Sequence, residues 1–469
     1  MKHFHFIGIC GVAMSALALA FKREGYKVTG SDVGFYPPVS THLKDADIDF
    51  YPGWHPENMG TPDLVIVGNV AGSSNPEWLA VQEKNLPYKS YPEVIRDFFI
   101  KRKKHSIVCA GTYGKSTSTT LLTWILKEAG YDPSYMFGGL ALNDLPAAEL
   151  TKSDWAVVEG DEYKASRWDT GPKFAYYAPT ELLLTSVVWD HADVYPTEAL
   201  YREAFQKLVD SLPKAGLLVV SEKALPVITT KKAKQLSVVS YGKNTDNDFR
   251  YSGIAQTKDG LKFTITHDGT AYKLQTATLG EYMADNITGC FALTTKMGIE
   301  PEKIIAAIAS FKGMKRRLEK RYEGSATIFD DIAHSPSKAE AVLSSLRKLY
   351  SGKIIAVFEP NTGNRQLQAA PGYAHAFSAA DEVVIPRLTL VKKDSAQDTK
   401  ILEGDKLAKI ISKTHTAVSY IDDDKKLITY LNEKTPKGGV VVFLGSHGFR
   451  GMIEELVEVL SRVSTKQSK

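Results

Sequence analysis

The sequence predicts an α/β protein of three domains, and two observations support this. First, three regions each begin with a short apolar strand, followed by a glycine-bearing or polar turn and then a helical period. This is the βαβ rhythm of α/β folds. Second, the 469 residues are enough for about three separately cored domains, at roughly 100 to 200 residues each. We place the domains at residues 1–103, 104–315 and 316–469.

Each domain has its own run of predicted elements. In the first, strands are predicted at residues 3–9, 27–30 and 63–68, with a helix over 11–24. In the second, a strand at 106–110 leads through a glycine turn into a helix that ends near Gly130, and strands follow at 155–158 and 182–185. The segments at 216–220, 238–241 and 248–276 are short and alternating, which predicts an antiparallel flap. In the third, strands are predicted near 325–329, 353–358, 382–386 and 438–444.

The composition excludes several classes of protein. With 43% hydrophobic and 24% charged residues, the chain is typical of a soluble globular protein. Its apolar start, residues 4–21, is too short and broken to span a bilayer. The net charge of +4 is mild, and the basic run at 101–104 lacks interleaved aromatics, so we read it as a solvated linker. Three scattered cysteines indicate a reducing compartment. We predict a cytoplasmic protein with no membrane or nucleic-acid partner, and leave the oligomeric state open.

The clearest chemical motif lies between the first strand and helix of the central domain. In such a turn the backbone amides and the helix N-terminus form an anion-binding concavity. Lys115 can reach terminal phosphate oxygens, and the Ser116 hydroxyl can bind magnesium. Because the lysine sits in a turn, we expect it in a solvated loop and not in a core. Cys109 replaces the first glycine of the usual spacing. The predicted nucleotide-binding residues are Gly111, Thr112, Gly114, Lys115, Ser116 and Thr117.

Two further segments follow apolar strands in the same domain. Glu159 ends a strand and precedes Gly160-Asp161-Glu162, a position from which a carboxylate can hold magnesium. His191 lies between Asp190 and Asp193, where a histidine can be a metal ligand or a tuned acid or base. Since the carboxyl ends of parallel strands converge on one edge, we expect both segments to form one functional site with the phosphate loop.

The amino-terminal turn, residues 8–15, also joins a strand to a helix. Such a turn accepts a pyrophosphate at the helix N-terminus, and an acidic residue about twenty positions later can bind a ribose hydroxyl. Here the next strand ends in Ser31 and Asp32. The pattern alone fits a dinucleotide, a nucleotide sugar or no ligand.

Taken together, the motifs resemble the Mur ligase family, the ATP-dependent amide-forming enzymes of peptidoglycan synthesis. The likeness covers essentially the whole chain. In order, the motifs are the glycine-rich turn at 8–15, the phosphate loop at 110–116, the E-x-D-E segment at 159–162, the D-H-x-D segment at 190–193, the arginine pair at 316–317 and the D-D-x-x-H-x-P segment at 330–336. The resemblance implies a Rossmann-like first domain, a P-loop-type ATPase domain and a Rossmann-like third domain.

The resemblance also implies roles for individual residues. Lys115, Glu159, His191 and Arg317 would be catalytic, with ATP and Mg²⁺ as cofactors. Ser116 and Glu159 would hold one magnesium ion, and His191 would hold a second. ATP would further contact Asn286, Arg317, Asp331 and His334. The uridine nucleotide substrate would be held by Gly8, Gly11, Met14, Ser15, Ser31 and Asp32. The peptide end would meet Asn361 and Arg365. Tyr282 and Met283 replace the histidine and first asparagine of the family's H-N-x-x-N adenine segment, which leaves the base contacts open.

Within the family, the likeness is greatest to the ligase that joins UDP-N-acetylmuramate to L-alanyl-γ-D-glutamyl-meso-diaminopimelate. The alternative inside the family is addition of L-alanine to the same nucleotide. Two other classes stay open on the residues alone. A dehydrogenase would use residues 8–32 for a dinucleotide but leave Lys115, Glu159 and His191 without a role. A non-catalytic ATP-dependent switch or transport module would bind ATP and form no amide.

Overall fold

The structure is a computed structural model that describes residues 1–35, 39–101, 103–190, 194–229, 234–389 and 401–467. The chain forms two compact units. One consists of residues 1–255, 262–277 and 282–312, and the other of residues 256–261, 278–281 and 313–469. Three sheets are distributed over them, and the predicted three-domain α/β class is confirmed. No helix in the described ranges is both long and apolar enough to cross a membrane.

The first sheet has five strands in the order β3-β2-β1-β4-β5, all parallel. Its strands are β1 His3–Ile7, β2 Lys27–Asp32, β3 Asp49–Pro52, β4 Leu64–Val67 and β5 Tyr88–Ser90. Its helices are α1 Val12–Arg23, α2 Val39–Asp45, α3 Pro76–Glu83 and α4 Tyr91–Val94, the last continued by a π-helical turn over Ile95–Ile100. The glycine-rich turn leaves the carboxyl end of the central strand β1, which is where ligands bind in open parallel sheets.

The second sheet has ten strands in the order β15-β14-β13-β12-β11-β10-β6-β9-β7-β8. They are β6 His105–Ala110, β7 Ser134–Met136, β8 Ala148–Glu149, β9 Trp155–Gly160, β10 Glu181–Leu184, β11 Leu217–Ser221, β12 Ser237–Gly242, β13 Phe249–Thr257, β14 Gly260–His267 and β15 Thr270–Thr276. The helices are α5 Lys115–Glu128, α6 Glu198–Ser211, α7 Tyr282–Lys296 and α8 Pro301–Ser310. Strands β6, β9 and β10 are parallel neighbours, so the ends of β6 and β9 bring the phosphate loop and Glu159 to one edge.

The predicted antiparallel flap is wrong for its first two segments. Strands β11 and β12 are parallel to each other, and β11 is parallel to β10, so both extend the central sheet. Leu218, Val219 and Val220 are all buried, as expected for a parallel strand covered on both faces. Short, alternating segments therefore do not distinguish a flap from parallel strands that extend the main sheet.

The third sheet has six strands in the order β16-β17-β21-β18-β19-β20, parallel except for the β16–β17 pair. The strands are β16 Glu319–Glu323, β17 Thr327–Asp331, β18 Ile354–Glu359, β19 Glu382–Pro386, β20 Val418–Ile421 and β21 Val440–Gly445. The helices are α9 Pro336–Arg347, α10 Gly404–Ile411, α11 Asp424–Lys434 and α12 Met452–Gln467. Alternate residues of β18 belong to separate cores: Ala356 packs on one face and Ile355 on the other. Both faces of this sheet are therefore covered.

Candidate active site

The phosphate loop runs from the end of β6 to the start of α5. Gly111 and Gly114 have φ angles of 138° and 82°, which favour glycine. A Cβ at Gly114 would overlap Oδ1 of Asn286, and one at Gly111 would overlap the Thr185 hydroxyl. Asn286 therefore lies directly against the loop, and its contact with a nucleotide stays a prediction. Thr112 turns inward to accept a hydrogen bond from the Val188 amide at 2.9 Å, and Thr117 is buried.

Lys115 is far less solvated than its glycine-rich setting predicts. Its side chain is only 12% exposed, and its Nζ lies 2.8 Å from Oε2 of Glu162, a carboxylate that is 2% exposed. The ammonium group also donates to the Gly111 carbonyl at 2.7 Å. Burial lowers the pKa of Lys115, but the carboxylates of Glu162, Asp161 and Glu159 outweigh it and raise the pKa above its usual value. The lysine is thus held protonated at the mouth of the loop.

Ser116 and Glu159 converge on one point. The Ser116 hydroxyl donates to Oε1 of Glu159 at 2.8 Å, and the Gly138 amide donates to Oε2 at 2.7 Å. Burial raises the pKa of the Glu159 carboxyl, against the lowering effect of the nearby Lys115. A carboxylate whose charge is destabilised by burial gains from a nearby cation.

The oxygens of Ser116 and Glu159 are hard donors of the kind magnesium prefers, so the residues fit this ion. Within the described part of the chain, no group of three or more His, Cys, Asp and Glu side chains is arranged so that it could hold a metal ion. Magnesium in proteins usually keeps several water ligands and takes others from substrate phosphates, so it needs only one or two protein ligands. His191, predicted to hold a second magnesium ion, lies outside the described residues.

The amino-terminal turn places Gly8 at a φ of 87°, where a Cβ would overlap the Val70 side chain. Asp32 is engaged by this turn and by its own strand end: its carboxylate accepts hydrogen bonds from the amides of Cys10 at 2.9 Å and Val33 at 2.7 Å. The carboxylate of Asp32 therefore shapes the turn itself. Its predicted contact with a ribose remains a prediction.

Three more predicted nucleotide-sugar residues lie on or beside the same turn. The Ser15 hydroxyl donates to the Val12 carbonyl at 3.1 Å, and Met14 is buried. Ser31 is fully buried and donates to the carboxylate of Glu77, a residue on α3 that also accepts from the Tyr51 hydroxyl at 2.8 Å. Glu77 has no motif around it, and only the fold brings it under the turn. No sequence signal therefore predicts its position at this turn.

Gly11 provides a clean test of this turn. It adopts φ −62° and ψ 142°, and a Cβ there would meet nothing closer than 3.6 Å. The substitution Gly11→Val should therefore leave the fold intact but fill the space in front of the helix N-terminus. We expect calorimetry to show binding of UDP-N-acetylmuramate weakened at least about tenfold, with ATP affinity unchanged. Loss of ATP binding alone would mean that the two nucleotide sites are assigned to the wrong domains.

In the second compact unit, the two neighbouring arginines have different surroundings. Arg316 has φ 58° and turns inward, donating to the carbonyls of Gly445 at 2.5 Å and His447 at 2.7 Å and pairing with Asp330 at 3.2 Å. Arg317 is exposed. The neighbouring arginine thus holds the loop after β21, while Arg317 presents its charge outward.

The two residues of this unit that are predicted to contact the nucleoside of ATP are Asp331, at the end of β17, and His334, shortly after it. Asp331 is buried and accepts hydrogen bonds from the Leu318 amide at 2.7 Å and the Ala333 amide at 2.8 Å. Burial raises the pKa of Asp331, against the effect of Arg317. His334 places Nδ1 2.7 Å from the Ile332 carbonyl. Their nucleoside contacts stay predictions.

The two predicted peptide-binding residues are both engaged with the protein. Arg365 is buried, and its guanidinium donates to the carbonyls of Thr389 at 2.7 Å and Leu402 at 3.2 Å. Asn361 accepts from the amide of Asn364 at 3.1 Å. In this arrangement Arg365 stabilises the surrounding loops, and its role toward a peptide remains a prediction.

Comparisons with known proteins cover nearly the whole chain. Residues 3–103 match the model described as Mur ligase family, catalytic domain; residues 109–294 match the Mur ligase middle domain; and residues 316–447 match the Mur ligase, glutamate ligase domain. The sequence is similar to a UDP-N-acetylmuramate–L-alanyl-γ-D-glutamyl-meso-2,6-diaminoheptandioate ligase of Escherichia coli (strain K12). The two are 33% identical over 387 residues, 81% of this chain and 84% of the relative.

A second relative is a UDP-N-acetylmuramate–L-alanine ligase of Caldanaerobacter subterraneus subsp. tengcongensis. It is 28% identical over 462 residues, 97% of each chain. Among solved structures, the UDP-N-acetylmuramate–alanine ligase of Thermotoga maritima has a TM-score of 0.81 at 22% identity, covering 99% of this chain and 100% of that chain. At that identity the likeness supports the fold alone.

Proposed function

The chain belongs to the Mur ligase family and is an ATP-dependent ligase that forms amide bonds, and we propose that it acts on UDP-N-acetylmuramate and a peptide. The reaction joins the lactyl carboxylate of the nucleotide sugar to the amine of L-alanyl-γ-D-glutamyl-meso-diaminopimelate. The observation that carries this choice is the 33% identity to a ligase named for that reaction, against 28% for an L-alanine ligase. Addition of L-alanine is the second candidate, supported by the longer match of 462 residues.

The chemistry explains the need for ATP. A carboxylate resists attack by an amine because its leaving group would be an oxide. In the proposed first step a lactyl carboxylate oxygen attacks the γ-phosphorus, the bond to the β-phosphate oxygen breaks, and ADP leaves. The product is an acyl phosphate. The peptide amine then attacks the carbonyl carbon, phosphate departs with its bridging oxygen, and the amine nitrogen loses a proton.

The residues of the phosphate loop suit this first step. Phosphoryl transfer depends mainly on positioning and on charge stabilisation. We assign the β- and γ-phosphates of ATP to the loop amides and Lys115, and Arg317 to the transferred phosphoryl group. Ser116 and Glu159 would hold one magnesium ion and His191 a second, and these ions would neutralise phosphate charge when bound. Asn286, Asp331 and His334 remain our proposal for the other ATP contacts.

The other assignments follow the same division of the chain. Residues 1–103 would bind the nucleotide sugar through the turn at 8–15 with Ser31 and Asp32. Residues 104–315 would bind ATP, and residues 316–469 would receive the peptide through Asn361 and Arg365. The three cysteines are free, as is usual in a reducing compartment, and we propose that the enzyme acts in the cytoplasm.

A phosphate-release assay tests the proposed reaction. Enzyme, ATP, magnesium and UDP-N-acetylmuramate are combined with L-alanine, with L-alanyl-γ-D-glutamate or with the tripeptide, and products are identified by mass. We expect phosphate and amide product at the highest kcat/KM with the tripeptide. A preference for L-alanine would replace the first candidate with the second. Phosphate release without any amide would reject both substrates.

Replacing Glu159 by glutamine tests the metal assignment. The amide keeps the shape of the side chain and one acceptor oxygen but removes the negative charge. We expect the magnesium concentration for half-maximal rate to rise by roughly tenfold, because carboxylate charge contributes most to binding a hard cation. Glu128→Gln, an exposed carboxylate at the end of the same α5 helix, is the matched control. An unmoved magnesium curve for Glu159→Gln would exclude a ligand role.

A further inference from the structure

Glu162 is a buried carboxylate at the phosphate loop that the proposed reaction does not use. Its side chain is 2% exposed, and its two oxygens lie 2.8 and 3.0 Å from Nζ of Lys115. It follows Glu159 by three residues, just beyond the end of β9. Among the described residues, this carboxylate is the ion-pair partner of the lysine that the nucleotide needs.

The position of Glu162 is fixed from two sides. Its backbone carbonyl accepts a hydrogen bond from the buried Tyr195 hydroxyl at 2.6 Å. The preceding residue, Asp161, is paired with Lys173 and accepts the Tyr163 amide at 3.1 Å. The Tyr195 carbonyl in turn accepts from Nε1 of Trp189 at 2.9 Å. The backbone that carries the Glu162 side chain is therefore held in place beside the loop.

The hydrogen bonds of Lys115 show what this pairing controls. An ammonium group has three N–H donors. Here they face the Gly111 carbonyl at 2.7 Å, the Glu162 carboxylate and, more distantly, the Thr112 carbonyl at 3.4 Å. Donating to a phosphate oxygen requires at least one donor to be exchanged. Glu162 is the strongest competitor because it is charged and buried.

A carboxylate at this place also has an electrostatic cost. It repels the triphosphate, so its removal by itself favours nucleotide binding. A group that opposes binding yet is buried against the phosphate-binding lysine is best explained by a benefit in the reacting complex. That benefit is orientation: the carboxylate keeps the ammonium aimed at the loop mouth.

We propose that Glu162 is a positioning residue for Lys115. It holds the ammonium group of the lysine in the position from which this group contacts the transferred phosphate. This rests on the proposed function, because it takes Lys115 as the phosphate-binding lysine. Glu162 itself makes no bond to the reacting atoms. It acts only through the lysine.

The test combines Glu162→Gln, Glu162→Asp, Lys115→Ala and the Lys115→Ala/Glu162→Gln double variant. ATP affinity is measured by calorimetry, kcat by phosphate release, and folding by thermal unfolding. For Glu162→Gln we expect kcat to fall about tenfold or more while ATP binds as tightly as in the parent enzyme or up to about tenfold more tightly. Glu162→Asp keeps the charge but shortens its reach, so kcat should fall with ATP affinity unchanged. Glu149→Gln, which breaks the 2.9 Å pair with Lys127 in the same unit, is the control and should change neither value.

The double variant shows whether Glu162 acts through Lys115. In the Lys115→Ala background, Glu162→Gln should lower kcat no further, and it should recover part of the lost thermal stability by neutralising the buried carboxylate whose ion pair with Lys115 is gone. The proposal is overturned if Glu162→Gln leaves kcat unchanged, if kcat and ATP affinity fall together, or if Glu162→Gln lowers kcat equally in both backgrounds. Full activity of Lys115→Ala would instead reject the phosphate-loop assignment. The two failures are therefore distinguishable.

Discussion

The variant Lys115→Ala should lose at least about a thousandfold in turnover, roughly 4 kcal/mol of transition-state stabilisation. The reason is that phosphoryl transfer develops charge on oxygens that the lysine alone, among the loop side chains, can neutralise at short range. Turnover is measured by phosphate release at saturating substrates. Activity within tenfold of the parent would contradict the assignment of the loop to the phosphates.

The same variant should also be less stable. Removing Lys115 takes the ammonium partner away from the buried Glu162 carboxylate, and breaking a buried pair on one side costs about 3 kcal/mol. This corrects the sequence-based expectation of a solvated lysine that can be removed without affecting the fold. The activity of Lys115→Ala must therefore be measured below its lowered unfolding temperature. The double variant, which we expect to be more stable, serves as the comparison.

The second large effect is expected at Arg317. The variant Arg317→Ala should lower turnover by about a thousandfold, as for other arginines that stabilise a transferring phosphoryl group, and leave the unfolding temperature nearly unchanged because the side chain is exposed. Substrate binding and turnover are measured separately, and kcat should fall more than the affinity for ATP.

Arg316→Ala is the matched comparison, one residue away. Its guanidinium holds the carbonyls of Gly445, Ser446 and His447 and pairs with the buried Asp330. We expect a loss of roughly 3 kcal/mol in the free energy of unfolding, since buried partners lose their donor. If Arg317→Ala proved the more destabilising of the two and remained active, the roles of the pair would be reversed.

Much of the fold follows from local pattern. Every predicted strand is present, because buried parallel strands are continuous apolar runs and the turns between them carry glycine. The missed strands include Asp49–Pro52, Tyr88–Ser90 and Val418–Ile421. These lie at sheet edges and are only partly buried. Without a buried face, their sequences carry no strong period, and only pairing with an inner strand defines them.

The candidate site divides in the same way. The sequence by itself determined the family, the phosphate loop and the strand-end position of Glu159, because each depends on residue types at short, regular spacing. Only the tertiary structure decided which way neighbouring side chains point. It turned Arg316 inward and Arg317 outward, buried Arg365 among backbone carbonyls, and paired Lys115 with Glu162 across 47 residues. Periodicity reports which positions are buried, whereas the partner of a buried charge depends on where distant strands end in space.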